Sequence, residues 1–427
     1  MPTRGSGRPG LDAAKNADRS SNIELLRIVA MALIVSNHLV NHGILKVTSA
    51  ASYELWPQGS VLNRAVCAAF STGGRIGVAV FFMITGYFLA GRERFSWSPL
   101  IRLLIKVHFF AALDFVIFLL FRALIGYGRS FSLGDMVLKS FVIPITIWWF
   151  AFSYAVLLVL IPFINCGIRW LGKILRGAVY PLLILIFWYL YAVGMTWSSY
   201  SILRAVFFYL IGAMSRTDIR TMSLAEGRTE SRTDNRTLGM TERSAVDNES
   251  SPRSGRSGNF RTAIAIRGAV CLLAWICCGI LTYADAELYA ADGNRFRQAV
   301  YWGWTAQQVL NIFLIPLVAA ALFLTFEKIE INSRLINRIA GAAFAMYLLH
   351  EYSYSRVLLW NVLLKVDTVQ FMSSFFPLLM IADVALIMAA GFAVEELRRK
   401  LGGIILRVNN SDGDLSEHTT RPRSGDQ

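Results

Sequence analysis

Six polar or ionisable side chains fall within one apolar segment near the N-terminus. They are Glu24, Arg27, Asn37, His38, Asn41 and His42. Histidine acts as a general base or a nucleophile near neutral pH, and arginine binds phosphate through paired hydrogen bonds. The segment therefore combines a group suited to anion binding with a group suited to proton transfer.

Helical spacing relates these residues to one another. At about 100° per residue, Arg27 and His38 return to within about 20° of one direction, and Glu24 lies within about 40° of His38. At about 1.5 Å per residue, His38 lies roughly 16 Å beyond Arg27. The spacing predicts Arg27 at one end of a spanning helix and His38 near its middle. A second interpretation stays open: Arg27 marks the membrane boundary and His38 bonds a neighbouring helix.

The composition is typical of a membrane protein. Hydrophobic residues make up 55% of 427 positions and charged residues 16%, whereas soluble proteins average about 45–50% apolar and about 25% charged residues. A helix that crosses the hydrocarbon core needs roughly 20 mostly apolar residues. Many segments reach that length, so we predict an all-α integral membrane protein.

The apolar blocks predict ten transmembrane helices. They lie at about 22–43, 76–90, 103–125, 141–164, 179–195, 202–214, 264–283, 307–326, 339–359 and 375–394. A cleaved signal peptide is a competing interpretation of the first block, but the polar residues inside that block argue against it.

Abrupt changes in composition divide the chain into five parts. They are a disordered tail (1–21), six helices (22–215), an Arg/Ser/Thr-rich disordered linker (216–262), four helices (263–397) and a second disordered tail (398–427). The linker has too few large apolar residues to form a core of its own.

The distribution of Lys and Arg predicts the orientation. Basic residues gather in alternate loops, as they do in cytoplasmic loops. They include Arg92, Arg94 and Arg102; Arg169, Lys173 and Arg176; the linker; Lys328, Arg334 and Arg338; and Arg398, Arg399 and Lys400. Both termini and the linker are therefore predicted to be cytoplasmic.

Two other kinds of site are not predicted. The net charge of +14 suggests nucleic acid, but no basic face with base-reading residues is visible. The five cysteines lie in or beside apolar stretches, without a CxxC pair or a histidine at zinc-ligand spacing. We predict neither a nucleic-acid partner nor a metal site.

Several motifs resemble those of acyltransferase family 3. Arg27, ten residues and His38 resemble the Arg-x10-His pair of the family's first helix. Residues 81–87 read Phe-Phe-Met-Ile-Thr-Gly-Tyr and resemble the second hallmark, with Thr85 where the family usually has Ser. Residues 347–350, Tyr-Leu-Leu-His, resemble the late Tyr-Leu-x-His motif. The order and spacing of these motifs cover most of the predicted helices.

The resemblance implies an O-acyltransferase of the bacterial plasma membrane. Such an enzyme moves an acyl group, here expected to be acetyl, from acyl-CoA to a hydroxyl of a cell-surface polysaccharide, such as an exopolysaccharide, or of its lipid-linked precursor. Acyl-CoA (acetyl-CoA) is then the donor substrate, no cofactor is bound permanently, and the partners are the lipid bilayer and the glycan acceptor.

The resemblance also implies roles for individual residues. The expected catalytic residues are His38 and Glu24. The expected donor-binding residues are Arg27, Arg92, Arg94 and Arg102. The expected residues of the substrate cavity are His42, Asn41, Thr85, Tyr154 and His350.

Two other functions remain possible from the sequence. A transporter or flippase would use the same charged helix face as a substrate path, although the chain lacks paired Gly/Pro-broken helices in two matching halves. A member of the unrelated membrane-bound O-acyltransferase family would use His350 as its base, which the pattern of the first helix disfavours.

The loop charges give a testable prediction for the linker. Residues 216–259 should lie in the cytoplasm and be dispensable for folding, because they carry many basic residues and few large apolar ones. Protease added outside intact cells should spare them, and protease added to inverted vesicles should cut them. Cleavage from the outer side would contradict the predicted topology.

Overall fold

The structure, a computed structural model, describes residues 21–46, 53–170, 182, 185–186, 202–216, 254–299 and 310–419. These residues are largely helical and include no strand. The α-helices are α1 (Ser21–His38), α2 (Val61–Phe70), α3 (Gly73–Leu89), α4 (Trp97–Ile125), α5 (Leu133–Val137), α6 (Trp149–Trp170), α7 (202–216), α8 (Ser254–Ala299), α9 (Ile315–Glu327), α10 (Arg334–Ala340), α11 (Ala343–His350) and α12 (Phe376–Thr419). Wider π-helical turns include Leu39–Ile44 and Leu358–Leu363.

Six helices among the described residues are long and apolar enough to cross a membrane. They cover Ser21–Ile44, Val61–Leu89, Trp97–Ile125, Trp149–Gly167, Thr262–Ala291 and Phe376–Gly402, and a shorter apolar helix covers Ile312–Glu327. The predicted fold class, an all-α membrane protein, is confirmed. The number of ten spans and the cytoplasmic termini stay predictions, since most of 179–195 and all of 217–253 lie outside the described residues.

Helix α1 lies at the centre of the bundle. It packs against α3, α9, α10, α11 and α12, and the side chains of Ile23, Leu26 and Ala30 are fully buried. Because neighbouring helices enclose most of α1, its buried polar groups must find partners on those helices or on α1 itself. The surrounding helices therefore determine what the polar residues of α1 contact.

Polar contacts join the helix ends at the end of the bundle where α1 begins. Asn22 donates hydrogen bonds from Nδ2 to the Phe326 and Glu327 carbonyls at the end of α9 (2.9 and 3.2 Å). Asn165 of α6 donates from Nδ2 to the Leu89 carbonyl at the end of α3 (2.8 Å). These contacts bring the start of α1 and the ends of three other helices to one end of the bundle. Under the predicted orientation, this is the cytoplasmic end.

The structure corrects several predicted helix boundaries. The predicted helix at 339–359 is not continuous, because α10 and α11 are separate and the chain leaves the helix at Glu351, with φ −110° and ψ 20°. This bend turns the Glu351 carboxylate toward histidines of α1, where a buried charge finds partners. Helices α8 and α12 also extend across the predicted boundaries at 262 and 398.

Helices α3 and α7 cross at very short distance through two glycines. A Cβ atom on Gly86 would collide with the Tyr209 carbonyl oxygen, and one on Gly212 would collide with the Met83 carbonyl oxygen. Small residues at such crossings let two backbones approach each other in membrane proteins. Gly86, the glycine of the second family-like motif, is therefore a packing residue.

We predict that Gly86→Val destabilises the protein, because the new side chain meets a backbone oxygen that cannot rotate away. Overpacking of this kind costs about 1–3 kcal/mol or more. Gly167→Val is the matched control, since a Cβ there has open space around it and the change in helix propensity is the same. Thermal unfolding in detergent should occur at a lower temperature only for Gly86→Val. Equal unfolding temperatures would contradict the close crossing.

Candidate active site

A basic cavity of about 730 Å³ opens where α1 and α4 begin and α12 carries its basic residues. Five cations line it: Arg27, Arg102, Lys106, Arg398 and Arg399. They come from distant parts of the chain, which meet because these helices share one end of the bundle. Several cations around one cavity attract a polyanion such as a phosphate-rich ligand.

One buried carboxylate organises the basic cavity. Glu395 is 1% exposed and contacts Lys106 Nζ (3.0 Å), Arg398 Nε (2.8 Å) and Arg399 Nε (3.2 Å). Arg399 also pairs with Glu396, so two carboxylates oppose these three cations. The cavity therefore keeps an excess of positive charge while Glu395 fixes the three side chains in place.

The structure brings some predicted donor-binding residues together and leaves others apart. Arg27 and Arg102 line the basic cavity, as do Thr85 and Tyr154 from the predicted substrate cavity. Arg92 and Arg94 lie in the exposed loop after α3 and are not among the residues that line it.

Glu24 pairs with Arg27 of the basic cavity and lies far along α1 from the histidines. Its Oε2 accepts a hydrogen bond from Arg27 Nη1 at 2.6 Å, and the carboxylate is almost fully buried. Glu24 precedes His38 by fourteen residues, a rise of about 21 Å along a helix. The predicted catalytic role of Glu24 therefore has no direct contact with His38 to act through, and the carboxylate instead orients Arg27.

A cluster of three histidines and one carboxylate lies deeper in the bundle. His38 Nδ1 is 2.9 Å from His350 Nε2 and 3.1 Å from Glu351 Oε2. His42 Nε2 is 3.3 Å from Glu351 Oε1. We call these residues, His38, His42, His350 and Glu351, the histidine cluster. The end of α1 and the end of α11 position all four.

The hydrogen bonds of His350 indicate where the ring protons lie when the three histidines of the cluster are neutral. His350 Nδ1 is 2.6 Å from the Met346 carbonyl oxygen, which accepts only, so Nδ1 carries the proton and Nε2 accepts. His38 Nδ1 therefore donates its hydrogen bond to His350 Nε2, and the Glu351 carboxylate lies 3.1 Å from the same nitrogen without accepting a hydrogen bond from it. His38 Nε2 is left unprotonated, and no described residue hydrogen-bonds to it. With 12% of the side chain exposed, His38 offers a free lone pair to a substrate.

An aromatic layer of Phe150, Phe344 and Tyr347 separates the basic cavity from the histidine cluster. Phe150 and Phe344 line the cavity. The Tyr347 ring lies 5.4 Å from Phe150 and 6.4 Å from His38, measured between ring centroids. The cavity and His38 are thus one ring apart, a separation that a thin, flexible ligand arm could bridge.

The remaining predicted cavity residues contact the protein itself. Asn41 donates a hydrogen bond from Nδ2 to the Ser71 carbonyl (3.1 Å), which ties α1 to the segment between α2 and α3. His42 bonds Glu351, and His350 bonds His38. His38 therefore bonds a neighbouring helix through Nδ1, as the second interpretation of the sequence has it. Its Nε2 remains available.

Sequence reasoning missed Glu351. A signal was present, since Glu351 directly follows the Tyr-Leu-Leu-His motif and an ionisable residue there falls inside a predicted helix. The sequence analysis also interpreted Arg398 and Arg399 only as evidence for the membrane topology.

Three atoms of the histidine cluster have the types that a metal ion binds. His38 Nδ1, His350 Nε2 and Glu351 Oε2 lie within 4.8 Å of one another, and two histidines with one glutamate form a common catalytic zinc site. However, ligands about 2.05 Å from a tetrahedral ion would lie about 3.3 Å apart, and the 2.9 Å between the two nitrogens is the length of a hydrogen bond. The shared proton accounts for the contacts, so a site without metal stays our prediction.

Comparison with protein families identifies the chain. The model of a family described as an acyltransferase domain, family 3, matches residues 20–394. The chain belongs to acyltransferase family 3. This match covers nearly the whole chain and confirms the resemblance read from the motifs. The protein is therefore a membrane acyltransferase, with the family's Arg-x10-His pair on its central helix. A search of curated proteins and a search of solved structures each find no match.

Proposed function

We propose that this member of acyltransferase family 3 moves an acyl group, acetyl in the simplest case, from cytoplasmic acyl-CoA to a hydroxyl of a cell-surface polysaccharide or its lipid-linked precursor. The enzyme would act in the plasma membrane of a bacterium. The observation that carries the proposal is the position of the basic cavity, which ends at an aromatic layer directly beside His38.

The basic cavity suits the donor. Coenzyme A carries several phosphate groups at one end of a long flexible arm and the thioester at the other. Arg102, Lys106 and Arg399 would hold the phosphates, because charged hydrogen bonds are about twice as strong as neutral ones. The arm would then pass the aromatic layer and bring the thioester to His38. Family membership supports a donor with an activated acyl group.

His38 would act as the general base. Its Nε2 accepts the proton of the acceptor hydroxyl while the hydroxyl oxygen attacks the thioester carbonyl carbon. The carbon–sulfur bond then breaks, and the departing thiolate takes the proton from the His38 imidazolium. The reaction yields one ester and one thiol, and His38 returns to its neutral state. The same free lone pair would serve if His38 carried the acyl group itself.

The acceptor side of the proposal rests on position and on the family. His38 lies at the far end of α1 from Arg27, so the acceptor would approach from the outer half of the membrane. Such an acceptor would be a glycan hydroxyl that faces outward or is carried by a membrane lipid. His350 is a poor choice of base, because both of its ring nitrogens are engaged.

We expect His38→Ala to abolish acyl transfer without loss of protein, since the change removes the only ring nitrogen in this proposal that faces the substrate. Loss of a general base costs about 10²–10⁴ in rate, which a few-fold change in expression cannot imitate. The measurement is mass spectrometry of surface glycans from cells that make each variant, with protein level checked on blots.

His42→Ala is the control for His38→Ala. It lies one turn further along and contacts Glu351, so it should reduce acylation and not eliminate it. Normal acylation by a well-expressed His38→Ala protein would refute the base. Equal loss in both variants would show that the two histidines share the role.

Arg102→Gln should raise the apparent KM for acyl-CoA by about tenfold to a hundredfold. A charged hydrogen bond contributes about 1.5–3 kcal/mol, and each 1.4 kcal/mol is a factor of ten. The turnover number should change less, because Arg102 is remote from His38. The measurement is transfer of radiolabelled acetyl groups by purified protein at a range of acetyl-CoA concentrations.

Arg94→Gln is the matched control, since it removes the same charge from the exposed loop outside the basic cavity. Its KM should stay near that of the unmodified protein. A larger increase for Arg94→Gln than for Arg102→Gln would move the donor site from the cavity to the loop.

A further inference from the structure

Glu351 is a buried charge whose two oxygens contact different histidines. The residue is 7% exposed. Its Oε2 is 3.1 Å from His38 Nδ1, and its Oε1 is 3.3 Å from His42 Nε2 and 3.4 Å from Arg356 Nη1. The carboxylate therefore cannot rotate without losing one of these contacts.

Burying a carboxylate at this position costs free energy of desolvation. A charged residue is therefore expected here only if the charge itself has a role. Removing two charges from water usually costs as much as their attraction returns, and an apolar replacement is often as stable. Structural stabilisation alone is a weak explanation for this charge.

The charge fits the needs of His38. His350 accepts a hydrogen bond from His38 Nδ1 but is a neutral ring. It can help to select the tautomer, but it cannot compensate the positive charge that forms when Nε2 takes a proton. The negative charge of Glu351, 3.1 Å from Nδ1, favours a proton on that nitrogen and can stabilise the imidazolium. The buried carboxylate of a catalytic triad stabilises its imidazolium in the same way.

We propose that Glu351 is the positioning residue of His38: it holds the proton on Nδ1, keeps Nε2 free to act as base, and stabilises the imidazolium formed during transfer. Arg356 and His42 hold the carboxylate in the orientation that this role needs. The inference rests on the proposed function only where it concerns turnover. Its statement about the tautomer of His38 stands independently.

The first test compares Glu351→Gln with the unmodified enzyme. An amide has nearly the same shape, but it carries no charge and can donate to His38 Nδ1, which favours the wrong tautomer. We expect the turnover number to fall by about 10²–10⁴, as for similar carboxylate-to-amide changes in triads, while the KM for acetyl-CoA stays within about twofold. Uniform loss of both parameters would indicate a merely structural role and overturn the inference.

Asp367→Asn is the matched control. Asp367 is also a buried carboxylate, 5% exposed, and pairs with Lys46 Nζ at 3.1 Å, away from the histidine cluster. Its turnover number should stay near that of the unmodified enzyme at equal protein level. A loss as large as that of Glu351→Gln would show that any buried carboxylate matters equally, which would also overturn the inference.

Glu351→Asp tests the role of the charge if the amide variant is poorly produced. Aspartate keeps the carboxylate but withdraws it by one methylene. Per molecule of protein, it should retain more turnover than Glu351→Gln and Glu351→Leu. The reverse order would contradict a role based on charge.

The second test reads the tautomer directly. The chain has five histidines, so 15N-histidine labelling in lipid bilayers gives few signals, and His38→Ala identifies the one from His38. In the unmodified protein the His38 signals should show a protonated Nδ1 and a bare Nε2. In Glu351→Gln the opposite tautomer should grow. An unchanged tautomer would overturn the inference, as would one stoichiometric metal ion that is lost in Glu351→Gln.

The two tests separate the inference from the proposed function. If the unmodified protein transfers no acyl group to surface glycans while the tautomer depends on Glu351, the proposed function fails and the positioning role stands. If acyl transfer occurs and Glu351→Gln has full turnover, the positioning role fails and the proposed function stands.

Discussion

The cost of polar groups inside an apolar bundle governs the organisation of this protein. Helix α1 carries Glu24, Arg27, His38 and His42 into a position that other helices enclose. Each ionisable group buried there needs a partner. Glu24 and Arg27 satisfy each other, and the histidines require a carboxylate from elsewhere in the chain. Glu351, at the end of α11, supplies that carboxylate.

An aromatic layer separates the two polar regions of the bundle. The basic cavity faces one end of the bundle, whereas the histidine cluster lies beyond Phe150, Phe344 and Tyr347. Aromatic rings exclude water, and an activated thioester survives longer where water is scarce. In the proposed function, the donor phosphates would stay on the aqueous side while the reacting carbonyl group was protected from water.

Sequence reasoning found those parts of the site that depend on local spacing. Arg27 and His38 lie on one helix, so their relation follows from helical geometry, and the motif around Thr85 is contiguous in sequence. It could not find contacts that depend on how distant helices pack. Lys106 meets Glu395 only where α4 approaches α12, and His38 meets Glu351 only where α11 packs against α1. The end of α11 at Glu351 was not predicted either, because the apolar block at 339–359 has the composition of one continuous helix.

The π-helical turn at Leu39–Ile44 affects how the chain beyond α1 is oriented relative to α1. A turn of this kind holds one residue more than an α-helical turn. Deleting one residue from it would give an ordinary turn with little change in the direction of the chain beyond, whereas a deletion within Ser21–His38 would rotate that chain by about 100°. The Gly43 carbonyl would then leave Asn361, which now donates to it at 2.8 Å, and Lys46 would leave Asp367. The contacts beyond α1 therefore depend on the number of residues in its α-helical part, and the wider turn is the place where a change of one residue is tolerated.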